Sequence, residues 1–453
     1  MGPQPQDTLM ELGKRYGNVL SFRMGSQLAI VLNDYEAIKA AFSEQADVFA
    51  GRGGGFVSRY IRSGSTGKTH GVGAPQGNTW KEGRKFMLQT FRDLGMGKSH
   101  LQESIIAEAN CIADSFINFN GQPFDPSPFL FSGAGNVIGS LCFGKRFEYE
   151  DPSFRRILAG LGQANVFKAH VQPLQSYPWL RFLPGRYRKL WHTVKDTSQY
   201  LLLFLRNIIE EHRKNYQETK TRDYIDAFFH RQREAGTTST EVFQDEELLQ
   251  NLRGFFTAGT DTTAITMRWV LLFMLHHPKI QDCVHNELDQ KIEVGRRIVL
   301  EDRAKLPYLE AVIREVQRLA NIIPLGLPRT NSTETILLGY RIPANSIVFP
   351  NFKSVNEDAT LWNDPQTFDP TRFLDRNGKV HEPIHFMPFS IGKRACVGES
   401  LARMELFLLF ANLMHRLVFK APPDEVLPAT NERITFLASG PKPFSICVFP
   451  RSY

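Results

Sequence analysis

Residues Asp245 to His277 read as one helix ended by Pro278, and a run of that length limits what this 453-residue chain can become. At 1.5 Å per residue it extends about 50 Å, enough to cross an entire domain. The periodicity is mostly helical from about residue 80 to 320. Strand-like runs lie outside that stretch. Val19–Met24 and Leu28–Leu32 flank Gly25-Ser26-Gln27 as a β-hairpin, and short β runs return at Thr335–Leu338, Ser346–Phe349 and Phe444–Phe449. Asp34 is placed to cap a short helix with Ile38, Ala41 and Phe42 on one face. No repeat or low-complexity linker divides the chain. The expected fold is mainly α (α+β): one helical domain over 1–453, with a small β-rich part near 1–50, 322–352 and 430–453.

Composition narrows the function classes. A hydrophobic content of 42% supports a substantial core, and 22% charged residues is ordinary for a globular protein. Basic residues exceed acidic ones by 54 to 47, a scattered surplus of +7. That balance suits acidic partners or anionic membrane surfaces and gives no sign of a nucleic-acid binder, which would concentrate its charge. The five cysteines are widely spaced, with no Cys-x-x-Cys pair, so neither a zinc site nor a secreted disulfide framework is indicated and a reducing compartment is expected. No segment reaches the 18 or so apolar residues that span a bilayer; Leu406–Met414 reads as a buried helix, and the first residues carry no signal region. Gly64-Ser65-Thr66-Gly67-Lys68-Thr69 approaches a phosphate-binding loop. Arg62 stands where that pattern needs glycine, and His70 to Pro75 allows no helix behind Thr69, so a surface loop is the better reading.

Cys396 lies in Phe389-Ser390-Ile391-Gly392-Lys393-Arg394-Ala395-Cys396-Val397-Gly398, directly ahead of an apolar helix. A lone cysteine is usually a buried, inert one. This setting favours a thiolate, because Lys393 and Arg394 add positive charge and the helix starting near Val397 directs its positive end at the sulfur. Gly392 and Gly398 permit backbone angles closed to other residues, so the loop can fold tightly beneath a flat ligand. A thiolate on such a loop serves as an axial haem ligand that favours O–O cleavage. In Phe389, Gly392, Arg394, Cys396 and Gly398 the sequence resembles the haem-binding loop of the cytochrome P-450 family. The resemblance runs through Arg15-Tyr16-Gly17 and Cys142-Phe143-Gly144-Lys145-Arg146-Phe147 to Pro443-Phe444, and is nearest to animal microsomal enzymes of the second family. Those carry an N-terminal membrane anchor, so this sequence is expected to be a trimmed or partial form of one on the cytoplasmic face of the endoplasmic reticulum.

The long helix carries Ala258-Gly259-Thr260-Asp261-Thr262-Thr263. Glycine and threonine are poor helix formers, so a local bulge is expected. Small residues alone explain close packing at Ala258 and Gly259. Asp261 beside two threonines points to a groove with a hydroxyl and a carboxylate for proton relay. The run resembles the family's oxygen-activation motif, which implies Thr262 as the hydroxyl, Asp261 as the acid and Ala258 against the haem. Glu315 and Arg318, three apart in a helix over Pro307 to Asn321, can form a surface ion pair of little worth. The resemblance implies instead that they join Arg372 of Phe368-Asp369-Pro370-Thr371-Arg372-Phe373 to hold the haem loop. Trp80 and Arg84, four apart, are implied with Arg394 as propionate ligands. Arg329 stands where many relatives have histidine and could bind a propionate too.

The resemblance places the substrate pocket at Phe56, Val57, Phe167, Phe255, Phe256, Ile323, Leu325, Leu327 and Leu437, all apolar and suited to a lipophilic ligand. Residues 177–191 mix aromatics with Arg186, Arg188 and Lys189, a pattern for dipping into a membrane surface. Lys81, Lys85, Arg92 and Lys393 suit docking of an acidic NADPH-cytochrome reductase, or cytochrome b5. The implied function is a haem b monooxygenase that hydroxylates fatty acids, steroid-like lipids or xenobiotics with O₂ and NADPH-derived electrons. A haem-thiolate isomerase or dehydratase acting on a peroxide is the rival enzyme, against which Thr262 argues, and a non-enzymatic haem sensor is the rival binding protein.

Overall fold

The computed structural model describes residues 4–451 except 54, 64–66, 72, 74–76, 96–98, 169–171, 237–240 and 435–437, and describes 99–100, 162–168, 172 and 241 by backbone alone. Its helices are α1 (Pro5–Tyr16), α2 (Tyr35–Lys39), α3 (Phe56–Arg62), α4 (Gly77–Asp93), α5 (Ser99–Ile117), α6 (Ser127–Phe143), α7 (Pro152–Lys168), α8 (Gln172–Ser176), α9 (Arg186–Lys214), α10 (Tyr224–Ala235), α11 (Asp245–His276), α12 (Pro278–Lys291), α13 (Pro307–Ala320), α14 (Phe352–Asn356) and α15 (Glu399–Arg416). The strands are β1 (Val19–Met24), β2 (Gln27–Leu32), β3 (Arg329–Thr330), β4 (Thr335–Leu337), β5 (Tyr340–Ile342), β6 (Ile347–Pro350), β7 (Leu417–Lys420), β8 (Arg433–Ile434), β9 (Gly440–Pro441) and β10 (Cys447–Pro450). Among the described residues no helix is long and apolar enough to cross a membrane.

The predicted long helix is α11, which ends at His276, two residues before Pro278 and one short of the expected His277. Asp245, Glu246 and Glu247 in its first turn oppose the positive end of its dipole. It packs on α6, α9, α13 and α15, and most of its residues are buried. Gly259 allows the closest approach: a Cβ there would sit 2.3 Å from the Ile138 side chain of α6. The expected bulge does not form. Helix α11 is continuous through Ala258–Thr263, because Thr262 and Thr266 donate to the carbonyls of Ala258 and Thr262, both at 2.8 Å, without displacing the helix's own bonds.

The hairpin β1–β2 forms as predicted and extends into a sheet of order β1-β2-β6-β3, with β2 and β6 parallel. Asp34 caps α2 by accepting from the Ala37 N–H at 2.7 Å. A second core packs between this sheet and α2, from Ile30, Leu32, Ile38, Phe42, Val348 and Met387. The C-terminal strand is shorter than predicted: β10 begins at Cys447 and pairs antiparallel with β7.

Candidate active site

The Cys396 loop is shaped by backbone bonds. Cys396 N–H donates to Phe389 O at 2.9 Å, and Ala395 N–H closes a 3₁₀ turn on Gly392 O at 2.9 Å. Gly392 has φ +74° and lies so near α2's continuation that a Cβ would fall 1.7 Å from Phe42 O. Only glycine fits there. Arg403 stacks over the Phe389 ring at 5.1 Å, fixing the loop's start to α15. Cys396 lies deep in the fold and yet keeps solvent-accessible surface.

The charges flanking Cys396 in sequence do not act on the sulfur as expected. Lys393 pairs with Asp47, and Arg394 turns to donate to Ala50 O at 2.6 Å. Burial pushes the Cys396 thiol up, and the Gly398 N–H bond and the Arg84 charge offset it only in part. Glu399 adds to the rise. A thiolate here needs a metal to hold it.

Guanidinium groups gather beside the loop. Arg84 of α4 donates to Ala395 O at 2.7 Å, and Arg394 stacks over the buried Trp80 ring at 3.8 Å. Arg329 donates to Ile391 O at 2.6 Å and Ser390 Oγ at 3.0 Å, with its face on the Phe42 ring at 3.6 Å. Arg52, which sequence reasoning missed, donates to Leu327 O at 2.5 Å and Pro328 O at 3.0 Å. Burial, then neighbouring guanidinium charges, push Arg329 down to about 8, Arg394 to about 9 and Arg52, through Arg62 and Arg84, to about 10. Burial lowers Arg84 as well. The acceptors of Arg52, Arg84 and Arg329 are carbonyls and a hydroxyl, and Arg329 Nη1 and Trp80 Nε1 are buried without a partner. Crowded cations without a carboxylate call for a dianion, and haem carries two propionates. Among the described residues no group of three or more His, Cys, Asp or Glu could hold a metal ion, so a metal at Cys396 has to bring its other ligands, as porphyrin iron does. The residues fit the group.

Along α11, Gly254 and Ala258 are exposed and Thr262 half-buried, at i, i+4 and i+8, so one face of this central helix is open. Thr263, one residue on, donates to Glu405 Oε2 of α15 at 2.7 Å. That contact fixes α11 to the helix that follows the Cys396 loop and leaves Thr262 turned toward the open side. Asp261 is buried beside it.

Glu315, Arg318 and Arg372 meet, and they form no solvated surface pair. Arg318 forks onto Glu315 at 2.7 and 2.8 Å, Arg372 donates to Glu315 at 3.0 Å, and the first two are fully buried. Arg318 also holds Asn356 O and Pro365 O and lies over Trp362, which packs with Phe373 and Phe386. The triad thus clamps the segment that leads into the Cys396 loop.

The predicted pocket is only partly assembled. Phe256 is fully buried against Phe143 and Phe154, on the α11 face opposite Gly254, and Phe255 packs on Phe91 and Tyr224. Both belong to the core; a helix apolar nearly all round does not reveal which face is open. Leu325 packs with the core under β1 and β2, a further correction. Val57 is buried with Leu174 and Leu190, and Phe56 stacks on Trp191 at 5.3 Å. Leu327 is exposed and Ile323 half-buried. Leu437 and the Phe167 side chain lie outside the described residues.

The family model described as Cytochrome P450 matches residues 1–448. Cytochrome P450 2U1 of Bos taurus is 38% identical over 455 residues, covering 99% of this chain and 82% of the relative. Cytochrome P450 2J2 of Homo sapiens is 38% identical over 417 residues, 91% of this chain and 81% of the relative. Cytochrome P450 2H2 of Gallus gallus is 33% identical over 449 residues, 98% and 89%.

Proposed function

This chain belongs to the cytochrome P450 family, and on that premise we propose that it oxidises lipophilic organic molecules with O₂ at a haem ligated by Cys396. As a family member it is a haem-iron monooxygenase. Bound haem supplies the activation of O₂ and the transfer of one oxygen atom into an unactivated C–H bond, the second atom leaving as water. The remaining work falls to side chains. Arg84, Arg329, Arg394 and Arg52 neutralise the propionates, and the Trp80 indole N–H supplies a further donor. Phe389, Gly392 and Gly398 shape the loop under the ring, and Ala258 leaves room above it. Thr262 Oγ1 holds a proton at the open face of α11, and the Asp261 carboxyl replenishes it. Glu315, Arg318 and Arg372 position the loop. Electrons come from NADPH through an acidic flavoprotein reductase, with cytochrome b5 as a further donor, at the cytoplasmic face of the endoplasmic reticulum.

The observation that carries this reading is the group of buried and half-buried guanidiniums beside Cys396, a charge arrangement with no purpose in an apolar core. The test is the spectrum of the purified full chain. We expect Soret absorbance and a ferrous–carbonyl band at the long wavelength of sulfur ligation, lost in Cys396→Ala. Protein without that band overturns the assignment. Turnover of a lipophilic substrate that needs NADPH and reductase, with O₂ consumed, then separates a monooxygenase from a peroxide isomerase.

A further inference from the structure

Two further half-buried arginines lie beyond the four propionate ligands, although the Arg62 charge is still felt at Arg52. Arg62 ends α3 and Arg253 stands in the third turn of α11. Their Nε atoms are buried with no hydrogen-bond partner, and neither guanidinium makes an ion pair among the described residues. Arg318 is satisfied by Glu315 and Arg433 by Ala320 O and Leu319 O, while Arg268 Nε and the propionate ligand Arg329 share the lack of a partner. Burial lowers the proton affinity of both, and the Arg62 charge helps to push Arg253 down to about 10, with the Glu246 charge offsetting it only in part. The two charges therefore act on each other. Leaving a pair of buried cations unpaired is costly.

The chain holds them in place. His70 N–H donates to Arg62 O at 2.9 Å, while His70 Nδ1 and the Gly71 N–H both reach the Glu247 carboxylate at 2.8 Å. Gly71 approaches α11 so closely that a Cβ would lie 3.3 Å from Gln250 O. This clasp ties the end of α3 to the turn of α11 just before Arg253. Nearby acids are engaged elsewhere: Glu247 in the clasp, and Glu246 with Gln250 at 3.2 Å and Arg206 at 3.9 Å. Arg253 flanks the open face, next to Gly254 and nine residues before Thr262, roughly 13 Å along the axis.

We propose that Arg62 and Arg253 form a carboxylate-binding site for the acidic head of a long-chain substrate, which rests on the monooxygenase reading and narrows its substrate class. A carboxylate between two guanidiniums accepts up to four charge-assisted hydrogen bonds and replaces repulsion with attraction. The acyl chain then runs along the open face of α11 toward Thr262.

The probes are dodecanoic acid and its methyl ester, titrated by calorimetry into the haem-loaded full chain. The acid should bind at least about tenfold more tightly than the ester. In the double variant Arg62→Gln/Arg253→Gln that preference should vanish with ester affinity unchanged, and Arg62→Lys/Arg253→Lys should retain most of it. Equal affinity for acid and ester in the unaltered protein overturns the site, and needs no variant to fold. So does a double Gln variant that weakens both ligands alike. A protein with the sulfur-ligated carbonyl band but no acid preference fails this proposal alone, whereas one lacking the band fails the monooxygenase reading.

Discussion

Glu405 lies wholly buried inside α15, with Oε2 accepting from Thr263 and Oε1 without a partner. Burial pushes its carboxyl up to about 8, and the Thr263 bond pulls only weakly the other way. An acid whose proton affinity is raised by folding favours the folded state while protonated, so its contribution is intact below about 4.5 and fades as pH rises to about 8. Glu405→Gln keeps an acceptor for Thr263 and cannot ionise. The variant should therefore gain stability over the parent as pH rises from 5 to 8.5, by up to about 4 kcal/mol. Thermal unfolding of both proteins across that range measures it; a gap that does not widen with pH rules it out. Glu315 is the converse, a buried carboxylate already held by Arg318 and Arg372. Neutralising it in Glu315→Gln strands two arginines and should cost about 3 kcal/mol in denaturant unfolding, whereas a loss within about 0.5 kcal/mol would fit a solvated surface pair. Spacing made that triad legible in the sequence, because Glu-x-x-Arg and Phe-x-Pro-x-Arg-Phe are local patterns. Arg52, Arg62, Arg253 and Glu405 carried no such mark. Their meaning comes from what surrounds them after folding, as does the proton affinity of Cys396, whose sequence neighbours face away from its sulfur.

Elements were read more surely than faces. The hairpin, the Asp34 cap and the ends of α11 and α13 follow from turn residues, a cap and two prolines, all local signals. The continuity of α11 through its glycine and threonines did not, because packing on α6 and α15 overrides weak propensity. Two glycines on this helix separate the effects. Gly259 meets Ile138, so Gly259→Ala forces α6 away and should cost roughly 1–3 kcal/mol, beyond the gain in helix propensity. Gly254 has nothing within 4 Å of where a Cβ would stand, so Gly254→Ala should be neutral or stabilise by up to about 1 kcal/mol. Denaturant unfolding of the pair decides it, and equal effects would mean that α6 and α11 are not in the close contact described. Misassignment of Phe255 and Phe256 has the same root: with apolar residues on nearly every side, periodicity gives no phase, and only the neighbours of a helix tell its core side from its open side.

At the scale of the molecule, the surplus of +7 divides into patches with different neighbours. Helix α4 buries Trp80 and exposes Lys81, Lys85 and Arg92, and Lys81 joins Lys393 in lowering the proton affinity of Asp47. That basic surface is next to the Cys396 loop, where an acidic electron donor would have the shortest path. Lys85→Glu should reduce reductase-driven turnover several-fold, more at low salt, and leave peroxide-driven turnover intact. Equal loss in both would place the damage in the site itself. A second patch follows α8. Trp179 is 56% exposed and Phe182 70%, with Tyr177 and Leu183 also exposed, and Arg181 stacks over Phe182 at 4.2 Å. Aromatics so open to water, alongside Arg186, Arg188 and Lys189, match the chemistry of a headgroup layer, with rings in the acyl boundary and cations at the phosphates. Phe56 of α3 stacks with Trp191 of α9 and with Arg181, so this patch continues into the segment that ends at Arg62. An acidic lipid leaving the bilayer there would meet apolar surface first and guanidinium next. Trp179→Ser should weaken binding of the chain to anionic vesicles by roughly tenfold, and added salt should weaken it further in both proteins through the cations. Vesicle flotation reads both, and binding that the substitution leaves unchanged would mean that this patch meets something other than a membrane.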